Sequence, residues 1–269
     1  MFNMFSQTFM IHALMIGMAL AIAAAFLSPF LILNNQAMIA DGMSHVAFTG
    51  IILGFLLGDQ PLYFAVPFVM FASIIVSVLS DKAQFNNDAA ISVVSSFSLA
   101  IGLIIATLKS GFNRSIESLL VGSILSVTTI EIIFAFILVM IVIIFVFINY
   151  RSLVSMTFDL DYAKFSKIKT SILRYTLSAI TALFVVVGVR TVGTLLISAF
   201  TVFPSLIASQ ISISFKKTLS IGIIASIITI FFGIVASYHL GYPTGSTIVV
   251  MFTILLVCAY IIKFIRRRT

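Results

Sequence analysis

Nine runs of roughly 20 apolar residues, separated by short polar breaks, leave this chain only one kind of solvent. They fall at about 10–33, 39–57, 62–80, 90–108, 124–149, 172–189, 192–208, 217–238 and 245–263. A helix rising 1.5 Å per residue crosses a bilayer in such a length. Only 9% of the 269 residues are charged and 61% are hydrophobic, too few polar groups to cover a water-facing surface. The expected fold class is therefore all-α: a polytopic membrane protein, one transmembrane domain over residues 1–269, with about nine transmembrane helices. The runs 39–57 and 192–208 are short or carry polar residues, and eight spans result if 192–208 does not cross.

Lysine and arginine placement orients the bundle, because cytoplasmic loops collect positive charge. Putting the tail Lys263, Arg266, Arg267 and Arg268 inside, nine spans place Lys82, Arg151, Lys164, Lys167, Lys169, Arg174, Lys216 and Lys217 on the same side. Lys109, Arg114 and Arg190 then lie outside. The net charge of +7 is thus spread over the ends of apolar runs, so it reads as membrane orientation and not as a nucleic-acid surface. The first basic residue is Lys82, so the N-terminal run reads as a retained membrane segment. The single cysteine, Cys258, excludes an intrachain disulfide and a Cys-rich metal site. No phosphate loop, no H-E-x-x-H and no G-x-S-x-G motif occurs, and no polar stretch is long enough for an ATPase domain.

Ionisable groups inside apolar runs are costly and need a reason. Asp41 and His45, in Ala40-Asp41-Gly42-Met43-Ser44-His45, are four residues apart and share a helix face. Their oxygen and nitrogen are good ligands for small divalent cations. Equally, Asp41 could cap the second span while His45 faces a neighbouring helix. His12 and His239, near the outer side, could assist metal entry or be structural. Glu131 could line a water-filled pathway, pair with a cation or snorkel at its helix end; Asp59 and Glu117 read as solvated outer-loop residues, and Asp81 and Asp88 flank an inner loop with Lys82. Two cytoplasmic stretches stand out. One is about 151–171. The other, about 204–216, begins at the helix breaker Pro204 and reads as a short amphipathic helix able to dock a partner, or as an interfacial loop. Glycines recurring through the spans allow close helix approach and say no more than a packed bundle.

Six segments in order resemble the permease subunits of bacterial metal-ion ABC importers, the zinc/manganese/iron group. They are Ala40–Val46, Asp88–Ser92, Leu120–Val127, Phe158–Ala163, Val192–Leu196 with Pro204–Ala208, and Pro243–Val249. The resemblance implies a homodimeric permease in the bacterial plasma membrane, embedded in lipid, with its C-terminus cytoplasmic. Two cytoplasmic ATPase subunits would bind beneath it, and an extracellular solute-binding protein would deliver the metal near the 58–61 and 239–244 loops. It makes Asp41 and His45 the translocation ligands and Pro204, Ser205, Leu206, Ile207, Ala208 and Ser209 the ATPase-coupling segment. The chain departs from the family at Asn34-Asn35-Gln36, where basic residues are common, and at Ser205-Leu206-Ile207, where Ala-Ala-Thr is usual.

The run His45–Gly50 looks more like the zinc branch, and imidazole suits zinc better than manganese, so zinc is the expected cargo, with manganese or iron the alternative. No permanently bound cofactor is expected. A stand-alone proton-coupled transporter is the competing class, although such folds usually show inverted repeats and broken helices. A lipid-embedded assembly protein, indifferent to Asp41 and His45, is the third reading.

Overall fold

The computed structural model describes residues 7–57, 61–82, 86–108 and 127–266. Every regular element among them is helical: α1 (Thr8–Leu33), α2 (Ile39–Leu57), α3 (Pro61–Lys82), α4 (Asn87–Leu108), α5 (Thr129–Phe158), α6 (Leu160–Phe165), α7 (Thr170–Val192), α8 (Thr194–Ile211), α9 (Phe215–Leu240) and α10 (Thr244–Arg266). All but the short α6 are long and apolar enough to cross a membrane, so nine candidate spans stand among the described residues. The second and seventh runs are full helices. Asp59, Lys109, Arg114, Glu117 and the segment Leu120–Ser126 lie outside the described residues, as does the side chain of Lys82.

Two helices form the hubs. The alanine-rich α1 buries Ala19, Ala21, Ala23, Ala24 and Ala25, small side chains that let α5, α7, α8 and α9 close around it. Helix α2 is enclosed by α3, α4, α7 and α8. A methyl group added at Gly50 would lie 2.7 Å from the Ala65 backbone of α3, so only glycine permits that approach. Helices α7 and α8 touch both hubs and join the two halves.

End-to-end pairs fix how the helices alternate. Arg174, in the first turns of α7, pairs with Asp81 at the end of α3. Arg190, at the other end of α7, pairs with Glu131 at the start of α5, Nε to Oε1 at 2.8 Å. Lys263 near the end of α10 donates to Gln210 Oε1 near the end of α8 at 2.9 Å. One end of the bundle therefore gathers Lys164, Lys167, Lys169, Arg174, Lys216, Lys217, Lys263 and Arg266, while Arg190 lies at the other.

Two boundaries differ from the sequence reading. The fifth span was expected to end near 149, yet α5 continues to Phe158. Leu153 and Met156 carry its apolar face onward into the core, and Arg151 points outward where its long stem can reach polar surroundings. Pro204 was expected to break the chain and start a separate short helix. It lies instead inside the continuous α8, and the break comes at Gly193, whose φ of 88° ends α7 and begins α8. Proline inside a membrane helix is tolerated when other groups take up the backbone bonds it disturbs. Here the Ser205 amide donates to Ser28 Oγ on α1 at 3.2 Å, at a site where both serines are buried.

Candidate functional site

Between Ile39 and Ile52, helix α2 is buried at every residue except Asp41 and His45. Their Oδ2 and Nε2 atoms stand 3.9 Å apart, the His45 side chain 37% and the Asp41 side chain 50% exposed. Two ionisable side chains thus form a window in an otherwise closed wall. Asp41 is in the first turn of α2, close to the positive end of the helix dipole, at the basic end of the bundle. Its carboxylate makes no cap hydrogen bond among the described residues; it is the Asp41 carbonyl that accepts, from Ser44 Oγ at 2.6 Å. The carboxylate is left facing the imidazole.

The backing of this window is rigid. A methyl group at Gly42 would collide with the Ile91 side chain of α4, which is itself buried. One turn above His45, Thr49 donates to the Ser98 carbonyl of α4 at 2.8 Å. His45 Nδ1 is buried and has no hydrogen-bond partner among the described residues, while Nε2 faces Asp41. No group of three or more His, Cys, Asp or Glu side chains able to hold a metal occurs among the described residues. The described residues therefore offer one nitrogen and one carboxylate donor here, fewer than the four of a closed zinc site.

The other candidates lie elsewhere. Glu131 sits at the opposite end, with both carboxylate oxygens engaged. Oε1 holds Arg190, and Oε2 accepts from Thr128 N and Thr128 Oγ1, both at 2.9 Å, in a capping box that starts α5. Of the three sequence alternatives for Glu131, the geometry is that of cation pairing at a helix end. His12 Nδ1 lies 3.3 Å from the Val127 carbonyl, and His239 is an exposed residue in the last turn of α9 against the Tyr238 ring. Neither is brought to Asp41 and His45. In the segment 204–209, Pro204, Ser205, Ile207 and Ala208 are buried and Ser209 is exposed.

Sequence reasoning passed over the exposure around α6. Asp159 ends α5 and also caps α6, accepting from Tyr162 N at 2.8 Å, so the two helices join without a loop. At this basic end Tyr162 is 58% and Phe165 87% exposed, and Ile213, in the α8–α9 turn, is 89% exposed. The signal was an aromatic at each end of a polar stretch, which periodicity alone does not read.

Residues 6–263 match the profile of the ABC 3 transport family. The chain belongs to that family. It is 30% identical to a probable iron transport system membrane protein of Haemophilus influenzae, over 97% of this chain and 96% of that one. It is 28% identical to the manganese transport system membrane protein MntB of Synechocystis, over 94% and 82%. It is 25% identical to the high-affinity zinc uptake system membrane protein ZnuB of Buchnera aphidicola, over 93% and 95%. Among solved structures, PsaBC from Streptococcus pneumoniae in complex with Fab shares the fold, with a TM-score of 0.81 at 24% identity over 94% of this chain and 91% of that one. The metal-importer permease resemblance of the six sequence segments and the family assignment agree, and the all-helical, multi-span fold is that of the neighbour.

Proposed function

We propose that this chain is the membrane subunit of an ATP-driven importer that passes a divalent metal ion between Asp41 and His45 of two copies. The observation that carries the reading is the window: in an otherwise buried stretch of α2, the two open residues are an adjacent carboxylate and imidazole. A second copy supplies a second pair, raising the donors to two nitrogens and two oxygens. That set suits zinc in four-coordinate geometry, and manganese next. Ligands drawn from two movable subunits form a site that can be dismantled, which a transported ion requires and a resident ion does not.

The basic end of the bundle is cytoplasmic by the positive-inside rule, which puts the C-terminus in the cytoplasm and the start of α5 outside. ATP hydrolysis resides on separate subunits seated against the exposed Tyr162, Phe165 and Ile213, with the Pro204–Ser209 half of α8 as the stem behind that turn. A solute-binding protein meets the opposite end, where His239 and Tyr242 are exposed.

The test is uptake of radiolabelled zinc, manganese and iron(II), side by side, in cells without their own importers. The chain is expressed with its ATPase and binding protein, as wild type, Asp41→Ala and His45→Ala at matched membrane levels. Uptake that needs ATP hydrolysis and both residues is expected. Uptake that survives an inactive ATPase overturns the ATP-driven reading, and uptake that survives both substitutions overturns the site. A preference for manganese over zinc overturns only the cargo.

A further inference from the structure

Asn34 stands where three helices meet. It caps the C-terminus of α1, and its side-chain Nδ2 donates both to the Phe30 carbonyl at 2.7 Å and to Thr157 Oγ1 of α5 at 3.3 Å. Its backbone carbonyl accepts from Asn87 Nδ2, at the first residue of α4, at 2.6 Å. Helix packing alone does not call for this. An α1 C-cap needs one carbonyl satisfied, whereas the Asn34 side chain also reaches α5 and its backbone carbonyl is held by α4.

What lies behind each partner gives the junction its meaning. Thr157 is one residue before the end of α5, and α5 runs without a loop into α6 through Asp159. A push on Tyr162 or Phe165 therefore reaches Thr157 within two helical turns. On the other side, Ile91 is one turn beyond Asn87 and presses against Gly42, the neighbour of Asp41. A second route is the chain itself: Gln36, buried at 2% exposure, accepts from the Ile39 amide at 3.1 Å and so leads from Asn34 straight into the first turn of α2. Both routes end in the first turn of α2, which carries Asp41.

The geometry points to Asn34 as a positioning residue that ties the seat of the ATPase to the metal-facing pair, its side-chain amide holding Thr157 while its backbone carbonyl holds Asn87. The inference rests on the reading of α6 as that seat and of Asp41 and His45 as the transit ligands. Asn34 touches no metal. It transmits the tilt of α5 and α6 to the start of α2 and α4, so its loss separates hydrolysis from transport and leaves each partner reaction in place.

The experiment is a stoichiometry. The complex of this chain with its ATPase and binding protein is reconstituted in proteoliposomes, and metal taken up per ATP hydrolysed is measured with zinc and with manganese. Asn34→Ala and Thr157→Val are compared with wild type, and Thr157→Ser, which keeps the hydroxyl, serves as the conservative rescue. The expected result is a ratio reduced about three- to tenfold in the first two, the factor corresponding to one net hydrogen bond, with ATP hydrolysis continuing and Thr157→Ser at the wild-type ratio. The double variant should be no worse than either single one, since both cut the same link. An unchanged ratio, or a proportional fall of hydrolysis and uptake together, overturns the proposal in favour of a simple helix cap. Asp41→Ala and Phe165→Asp run in parallel. Survival of uptake in the former, or of hydrolysis and uptake in the latter, sinks the underlying reading independently of what Asn34 does.

Discussion

The amide of Ser205 donates to the hydroxyl of Ser28, 3.2 Å away on a different helix, at the residue following Pro204. A helix amide next to a proline has lost its regular neighbourhood, and in a membrane interior no water is present to take the bond. Ser28 and Ser205 are 0% and 5% exposed, so the hydroxyl on α1 offers this donor an acceptor where water does not reach. A methyl group at Gly222 of α9 would come within 3.2 Å of the Pro204 carbonyl, so a third helix presses on the same turn.

Ser28→Ala should therefore destabilise the protein by about 1–3 kcal/mol, the cost of leaving a buried donor unpaired. Thermal unfolding of the detergent-solubilised permease measures this. An unchanged melting temperature would mean that the Ser205 amide finds another acceptor and that Ser28 is packing alone.

Glu131→Gln should leave metal uptake close to wild type. The carboxylate closes a capping box and an ion pair at the end opposite Asp41, and Arg190 is 40% exposed there. Such a pair contributes about 0.2–1 kcal/mol. A double-mutant cycle with Arg190→Gln in unfolding experiments should return a coupling of that size. Abolished uptake at normal stability would instead put Glu131 in the ion path.

The Asp81–Arg174 pair invites a charge swap. Asp81 is near the C-terminus of α3 and Arg174 near the N-terminus of α7, each at the end of a helix whose dipole disfavours its charge. Either single reversal should lower stability by juxtaposing like charges. The doubly reversed Asp81→Arg/Arg174→Asp chain should be at least as stable as wild type, because the pair is kept and both dipoles are then complemented. A double reversal less stable than either single one would show that the guanidinium geometry, and not the charges, holds α3 to α7.

Gly42→Ala sets two effects against each other. Alanine gains about 1 kcal/mol of helix propensity over glycine, while forcing a methyl into a packed contact costs about 1–3 kcal/mol. Ile91 is 1% exposed and has little room to yield, so the steric term should win and metal uptake should fall. Ile91→Ala in the same chain should restore part of it by vacating the space. Uptake unaffected by Gly42→Ala would show that the α2–α4 spacing does not hold Asp41 in place.

Residue type and spacing alone carried much of this molecule. The apolar runs are legible because a bilayer enforces a length, and the described residues meet it nine times. Even the doubtful 39–57 run matched α2 residue for residue. Asp41 and His45 could be paired from their separation of four, since helical geometry dictates a shared face. The Pro204 expectation failed because proline's local effect was weighed without its neighbours: Ser28, distant in sequence, accepts from the amide that follows the proline. The end of α5 was misjudged for a similar reason, as one arginine looked like a loop when Leu153 and Met156 beyond it were already core.

Solvent and length are properties of the sequence taken segment by segment, so the sequence determined the long helices, their number among the described residues and which end of the bundle is basic. Contacts between segments depend on how the helices are arranged, and no local pattern encodes that. Only the tertiary structure decided that Asp41 and His45 are the sole opening in a buried stretch, that Glu131 is spent on Arg190, and that Asn34 joins α1, α4 and α5. Each of these rests on a residue more than 40 positions away, brought near by packing that hydrophobic periodicity permits and does not specify.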